Sequence, residues 1–224
     1  MHLVWDWNGT LLDDLSLVVA ATNASLATVG GPTVTADEHR RNFRRPVAAY
    51  YSDVLGRPVD DAEFARLDRA FHEAYRARLT RCELAAGAVA ALDAWPGTQS
   101  LLSMWFHHEL VGQLDARGLT GRFVRVDGLR ATIGGDVKAG YLAAHLAALG
   151  VAGPDAVLIG DSLDDADAAA AVGARCVLYA GGFTDPARLR ATGLPVARTL
   201  TEAVALARGG VPAARTGADG TVRV

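Results

Sequence analysis

Cysteine is scarce, with two in 224 residues. Cys82 and Cys176 lie far apart and outside any Cys-x-x-Cys spacing, which excludes a zinc knuckle, a redox pair and a dense disulfide framework. Two buried thiols in a reducing compartment are the expectation. His2, His39, His72 and His145 have no metal-ligand spacing and are assigned no role. A surplus of charge is missing as well. Lys and Arg number 22 against 25 Asp and Glu, for a net charge of −3. Without a basic stripe, a nucleic-acid partner is not expected. Met1–Asp6 has neither a basic leader nor a long apolar segment, so no secretory signal is expected. The Ala-rich stretch Ala166–Ala174 stops at Arg175, and no membrane span is expected. These absences point to a cytoplasmic protein.

Hydrophobic residues, in contrast, make up 50% of the chain. That suffices for one full domain with a core and a smaller insert. Short continuous apolar runs at Leu3–Trp5, Ser100–Met104, Phe123–Val126, Ala156–Ile159 and Cys176–Tyr179 read as strands buried on both faces. Helical patterns at about 87–94, 106–117, 136–149 and 163–172 lie between most of them. Alternation of this kind predicts an α/β fold, a three-layer Rossmann-like parallel sheet. Between Leu15 and Cys82 the alternation breaks into helix after helix. Leu15, Val18, Val19, Thr22, Leu26 and Val29 share one face, as do Phe64, Leu67, Phe71, Tyr75 and Leu79. Gly30-Gly31-Pro32 ends the first of these helices, and Arg57-Pro58 opens the last connection. The expected organisation is a core of residues 1–14 and 84–208, a helical cap over 15–83 and a flexible tail over 209–224.

The first strand runs into Asp6-Trp7-Asn8-Gly9-Thr10-Leu11. A carboxylate at the C-terminal edge of a parallel strand faces the crevice where such sheets bind ligands, and Gly9 permits a sharp turn. An ordinary turn after a strand would explain this segment alone. A second apolar strand, however, runs into Gly160-Asp161-Ser162-Leu163-Asp164-Asp165. Helix capping accounts for Ser162 and one acid. Three carboxylates crowded at one edge repel one another unless a cation sits there. Ser103, ending Ser100-Leu101-Leu102-Ser103, and Lys138 in Asp136-Val137-Lys138-Ala139-Gly140 count only by their position between the two motifs.

In order, Asp6-x-Asn8-Gly9-Thr10, Ser103, Lys138 and Gly160-Asp161-x-x-x-Asp165 resemble the four-motif signature of the haloacid dehalogenase (HAD) superfamily. The similarity spans Leu3 to about Gly182. It is to the phosphatase branch with a helical cap after motif one, as in phosphoglycolate-phosphatase-like members. The resemblance implies a Mg²⁺-dependent phosphoric monoester hydrolase acting on a small phosphorylated metabolite. Asp6 would attack phosphorus and form an aspartyl-phosphate. Asp6, the Asn8 backbone carbonyl and Asp161 would hold Mg²⁺, with Asp165 in support and Asp164 assisting. Thr10, Ser103 and Lys138 would hold the phosphoryl oxygens. The chemistry is consistent, since an anionic nucleophile approaching an anionic phosphate needs a cation and a lysine to offset repulsion. Hard oxygen ligands suit Mg²⁺ rather than zinc.

One position departs from the pattern. Family phosphatases usually carry Asp where this chain has Asn8, and that Asp protonates the leaving alcohol and later activates water. Asn keeps the backbone carbonyl but transfers no proton, and loss of a general acid costs roughly 10²–10⁴ in rate. Four explanations stay open: a substrate with a good leaving group, such as an acyl phosphate; a surrogate acid at Asp13, Asp14, His107 or His108; a long-lived phosphoenzyme that favours phosphotransfer; or a non-catalytic binder on the same fold. Arg44 and Arg45 are candidates for a second anionic group on the substrate, or a solvated basic turn. Met104 and Trp105, with Phe106, read as core of the next helix or as an apolar wall of the substrate pocket. Gly160-Asp161-Ser162-Leu163 also spells the signature of a serine esterase family, but no histidine follows His145 to serve as base. A dehalogenase proper would leave the acids at Asp161, Asp164 and Asp165 without a purpose.

Overall fold

The computed structural model describes residues 1–130 and 138–209. The expected tail beyond Gly209 and the helix start expected at 136 lie outside those residues. Six strands form one parallel sheet: β1 (His2–Trp5), β2 (Gln99–Phe106), β3 (Val126–Leu129), β4 (Ala156–Gly160), β5 (Arg175–Tyr179) and β6 (Val196–Ala197). Their order is β3-β2-β1-β4-β5-β6, with β1 central between β2 and β4.

The strands read as unbroken apolar runs because both faces are covered. Leu3, Trp5, Leu101, Val157, Ile159 and Val177 enter one buried cluster; Val4, Leu102, Leu158, Cys176 and Leu178 enter another. Successive side chains point to opposite faces, so one run fills two cores. Helices α5 (Ala88–Ala94), α6 (His107–Ala116) and α10 (Leu200–Arg208) pack on the first face. Helices α7 (Lys138–Leu149), α8 (Leu163–Val172) and α9 (Pro186–Ala191) pack on the second.

Besides α5, four helices stand between β1 and β2: α1 (Leu15–Ala27), α2 (Ala36–Asn42), α3 (Val47–Leu55) and α4 (Asp61–Leu79). Leu26, Tyr51 and Leu67 form a small core of their own there. The two ends of this segment run side by side, with Asp13 N–H donating to Glu83 O at 3.0 Å and Ala85 N–H to Leu11 O at 2.9 Å. The buried side of α1 is broader than expected. Leu17, Ala21 and Ser25 are buried with Val18, Thr22 and Leu26, while Leu15 and Val19 are only half-buried.

Two boundaries differ from the sequence expectation. Met104, Trp105 and Phe106 continue β2 instead of opening the next helix, which starts at His107. β3 begins at Val126, the last residue of the expected Phe123–Val126 run. The apolar residue Phe123 packs beside the sheet, while the strand itself carries Asp127 and Gly128. Gly128 is required there, because a Cβ would lie 2.6 Å from the Trp105 carbonyl oxygen. β6, α9 and α10 are additions to the expected elements.

Candidate active site

β1 and β4 are neighbours, and each ends in a carboxylate. Trp5 pairs with Ile159, and Asp6 N–H donates to Ile159 O at 2.9 Å. This puts Asp6 and Asp161 at the same sheet edge, where a doubly wound sheet opens a crevice. Gly9 makes the approach possible. Its φ is +73°, and a Cβ would lie 2.6 Å from Asp161 Oδ2.

Lys138, the first residue of α7, lies between two acids. Its Nζ is 2.5 Å from Asp6 Oδ1 and 2.5 Å from Asp165 Oδ1, and all three residues are buried. Asp165 caps α8 at the same time. Its Oδ2 accepts from Ser162 N–H at 3.0 Å and Ser162 Oγ at 2.6 Å, while Ser162 Oγ accepts from Asp165 N–H at 3.2 Å. The cap and the lysine partner are therefore one residue.

Carboxylate oxygens of Asp6, Asp161 and Asp165 lie within 4.8 Å of one another. Three carboxylates against one ammonium leave a negative surplus in a dry place. Burial pushes Asp6 up to about 7, with Lys138 pulling the other way. Burial, then Asp6 and Asp165, hold Asp161 well above the ordinary carboxylate range. Burial alone would lower Lys138, but Asp165 and Asp6 reverse this and raise it. A surplus of this kind is relieved by protonation or by a hard divalent cation, and the all-oxygen donor set fits Mg²⁺.

The other predicted residues take varied positions. Thr10 Oγ1 donates to Asp161 Oδ1 at 3.0 Å and is fully buried, so it orients a carboxylate. Ser103 Oγ donates to Asn8 Oδ1 at 3.2 Å and accepts from Trp105 N–H at 3.0 Å. Asn8 Nδ2 donates to Asp14 Oδ2 and to the Tyr75 hydroxyl, both at 2.9 Å. Arg45 meets Asp164 at 2.7 Å. Arg44 turns instead to Asp53, 2.7 Å away on the exposed side of α3, and does not line the cavity. Met104 and Trp105 do line it.

That cavity, of about 200 Å³, opens above Asp6, Lys138 and Asp161, with its far walls supplied by α1–α4 and the end of β2. Several residues around it went unread in the sequence. Phe183 N–H donates to Asp161 Oδ2 at 2.6 Å from the loop after β5. A Cβ on Gly182 would lie 2.1 Å from the same oxygen. Arg40 of α2 donates to Gly181 O at 2.8 Å and Gly182 O at 2.9 Å. Tyr75 of α4 donates to Asp14 Oδ2 at 2.5 Å. A Gly-Gly-Phe turn after a strand was the one available hint.

Comparison with known proteins agrees with this architecture. A family model described as HAD-hydrolase-like matches residues 134–203. A haloacid dehalogenase-like family protein from Streptococcus pneumoniae superposes with a TM-score of 0.78 at 17% identity, over 91% of this chain and 96% of that one. A predicted phosphatase from Clostridium acetobutylicum gives 0.77 at 15% identity, over 92% and 97%. A predicted phosphoglycolate phosphatase from Haemophilus somnus gives 0.72 at 16% identity, over 92% and 96%. No curated protein matches. The fold is thus that of HAD-like proteins, and residues 134–203 are the segment that matches the HAD-hydrolase-like family model. Among the described residues, no helix is long and apolar enough to cross a membrane.

Proposed function

We propose that this chain is a Mg²⁺-dependent phosphatase of a small phosphorylated molecule, working through an aspartyl-phosphate on Asp6. The observation that carries this reading is the Lys138 bridge between Asp6 and Asp165, with Asp161 alongside, on the floor of the cavity. Asp6, Asp161 and the Asn8 backbone carbonyl would hold the cation, while Asp165 is occupied with Lys138 and Ser162. The cation supplies charge neutralisation at the phosphoryl oxygens.

This chain's own residues do the rest. An Asp6 oxygen forms the new bond to phosphorus as the ester bond breaks. Lys138 is shared at rest between two carboxylates and can follow charge onto the phosphoryl oxygens as Asp6 loses its own. Thr10 and Phe183 N–H keep Asp161 aimed inward. The helical segment 15–83 serves as a cap that excludes water while the phosphoryl group moves.

Phosphate release should require Mg²⁺ and stop with a chelator. Asp6→Asn should lose turnover altogether, and its full activity would reject the covalent route. Lys138→Ala and Asp161→Asn should each lose most activity, the latter with altered Mg²⁺ dependence. Chloride release from a haloacid in the presence of chelator would instead indicate a dehalogenase.

A further inference from the structure

The leaving-group side of the cavity has two unusual properties. Its walls are aromatic: Phe43, Tyr50, Phe71, Trp105, Phe106 and Phe183 all face it. Its cations are already engaged. Arg45 holds Asp164, and Lys138 holds Asp6 and Asp165, so among the described lining residues no lysine or arginine is left for a second anionic group. His39 donates no charge either, since burial lowers it to about 4.

A proton donor is missing as well. Both hydrogens of the Asn8 amide are committed, one to Asp14 and one to Tyr75, and its oxygen accepts from Ser103. Asp14 is no substitute. It is fully buried, and its oxygens accept from Gly9 N–H at 2.8 Å, from Asn8 and from the Tyr75 hydroxyl. Burial raises Asp14 to about 6, the hydrogen bonds from Tyr75, Asn8 and Gly9 pull the other way, and these three donors already occupy both of its oxygens. Asp13, His107 and His108 do not line the cavity.

We infer that the substrate is a monophosphate on an uncharged aromatic body, with a phenol-like oxygen that departs without a proton from the protein. This rests on the phosphatase reading above. In the first step the Asp6–phosphorus bond forms and the phosphorus–aryl oxygen bond breaks. The aryloxide leaves with the bonding pair and takes its proton from solvent. Water then attacks phosphorus, Asp6 leaves as a carboxylate, and the surplus proton passes to solvent.

The test uses the full chain with Mg²⁺ and three substrates. Phenyl phosphate has the ring and the acidic oxygen. Benzyl phosphate keeps the ring but must expel an alkoxide. Acetyl phosphate has a good leaving group and no ring. The expected kcat/KM for phenyl phosphate exceeds that for benzyl phosphate by roughly 10²-fold or more, the scale of one absent general acid. The double exchange Asn8→Asp with Asp14→Asn keeps a donor facing an acceptor, and should narrow that ratio; an unchanged ratio would count against the inference. Phe43→Ala should lower kcat/KM for phenyl phosphate about fivefold more than for acetyl phosphate, the scale of an aromatic pair. Equal rates for benzyl and phenyl phosphate, or equal losses in Phe43→Ala, overturn the inference. So does a His72→Gln variant that widens the phenyl-to-benzyl ratio, since the imidazole would then be the acid. If Asp6→Asn is inactive throughout, only this inference has failed. If Asp6→Asn matches wild type, or nothing in the panel releases phosphate, the phosphatase reading fails with it.

Discussion

Asp161 is gripped from three sides, by Thr10, by Phe183 N–H and by the bare Cα atoms of Gly9 and Gly182. Gly182→Ala would push a methyl group into the carboxylate, and overpacking of a tight site costs about 1–3 kcal/mol. The expected result is a lower urea midpoint together with weaker Mg²⁺ dependence of activity, whereas Gly121→Ala, where a Cβ meets nothing within 4 Å, should change neither. At this scale Asp6, Asp161 and Asp165 were legible because they follow apolar strands, and Lys138 only by its position between the two motifs. Gly182 and Phe183 were not, and neither was the contact between Asp14 and Tyr75. Their contacts depend on a loop folding back and on where α4 lands, and neither leaves a periodic trace. Of the two readings left open for Arg44, its exposed pairing with Asp53 fits the solvated turn, and nothing in a turn sequence reveals which neighbour captures a guanidinium.

Among the elements, β3 explains both a misreading and a buried polar network. Its Asp127 accepts from His145 Nδ1 at 2.7 Å, His145 Nε2 meets Ser100 Oγ at 2.7 Å, and the same oxygen meets His2 Nε2 at 2.7 Å. His2 Nδ1 ends the series on Thr98 Oγ1 at 2.8 Å. One serine hydroxyl has one proton. Burial favours neutral rings at both histidines, and with His145 donating to Asp127, Ser100 then donates to His145 and accepts from His2. Ser100, His145 and Asp127 have the contacts of a hydrolase triad, but Ser100 is fully buried near the start of β2, away from Asp6. Burial, then His145 and the N-terminus, lower His2 to about 4, and burial also lowers His145. The unfolded chain binds these protons below about 6.5 while the folded one does not. Stability supplied by neutral rings is therefore present above that pH and lost as pH falls toward 4. Asp6, raised to about 7, has the opposite dependence. The measurement is thus a comparison: wild type should lose urea stability on acidification more steeply than His2→Gln, by up to ~1.4 kcal/mol per pH unit. Equal slopes would mean that His2 does not titrate on unfolding. The sheet itself was legible from apolar runs, but a strand with Asp and Gly at its centre is invisible to that criterion.

Over the whole molecule, the segment that carries helices α1–α4 meets the core through Tyr75 on Asp14, Arg45 on Asp164, Arg76 on Glu109 and Arg40 on the loop after β5, while Leu17, Val18, Ala21, Tyr75 and Leu79 join the main apolar cluster. Arg188 of α9 donates back to Phe43 O at 2.9 Å and Arg40 O at 3.2 Å. Arg40→Ala should leave the core sheet intact, since it touches only loop carbonyls. It should increase proteolysis within 15–83 and raise the Mg²⁺ concentration needed for half-maximal activity. Unchanged values for both would show that the remaining contacts suffice. The arrangement also has a thermodynamic corollary. Arg40 holds the very turn whose next amide, Phe183 N–H, holds Asp161. Under the proposed function, with helices that close over a cation held by the acid cluster, the two events would be reciprocal: whatever factor the cation adds to closing, closing adds to its retention.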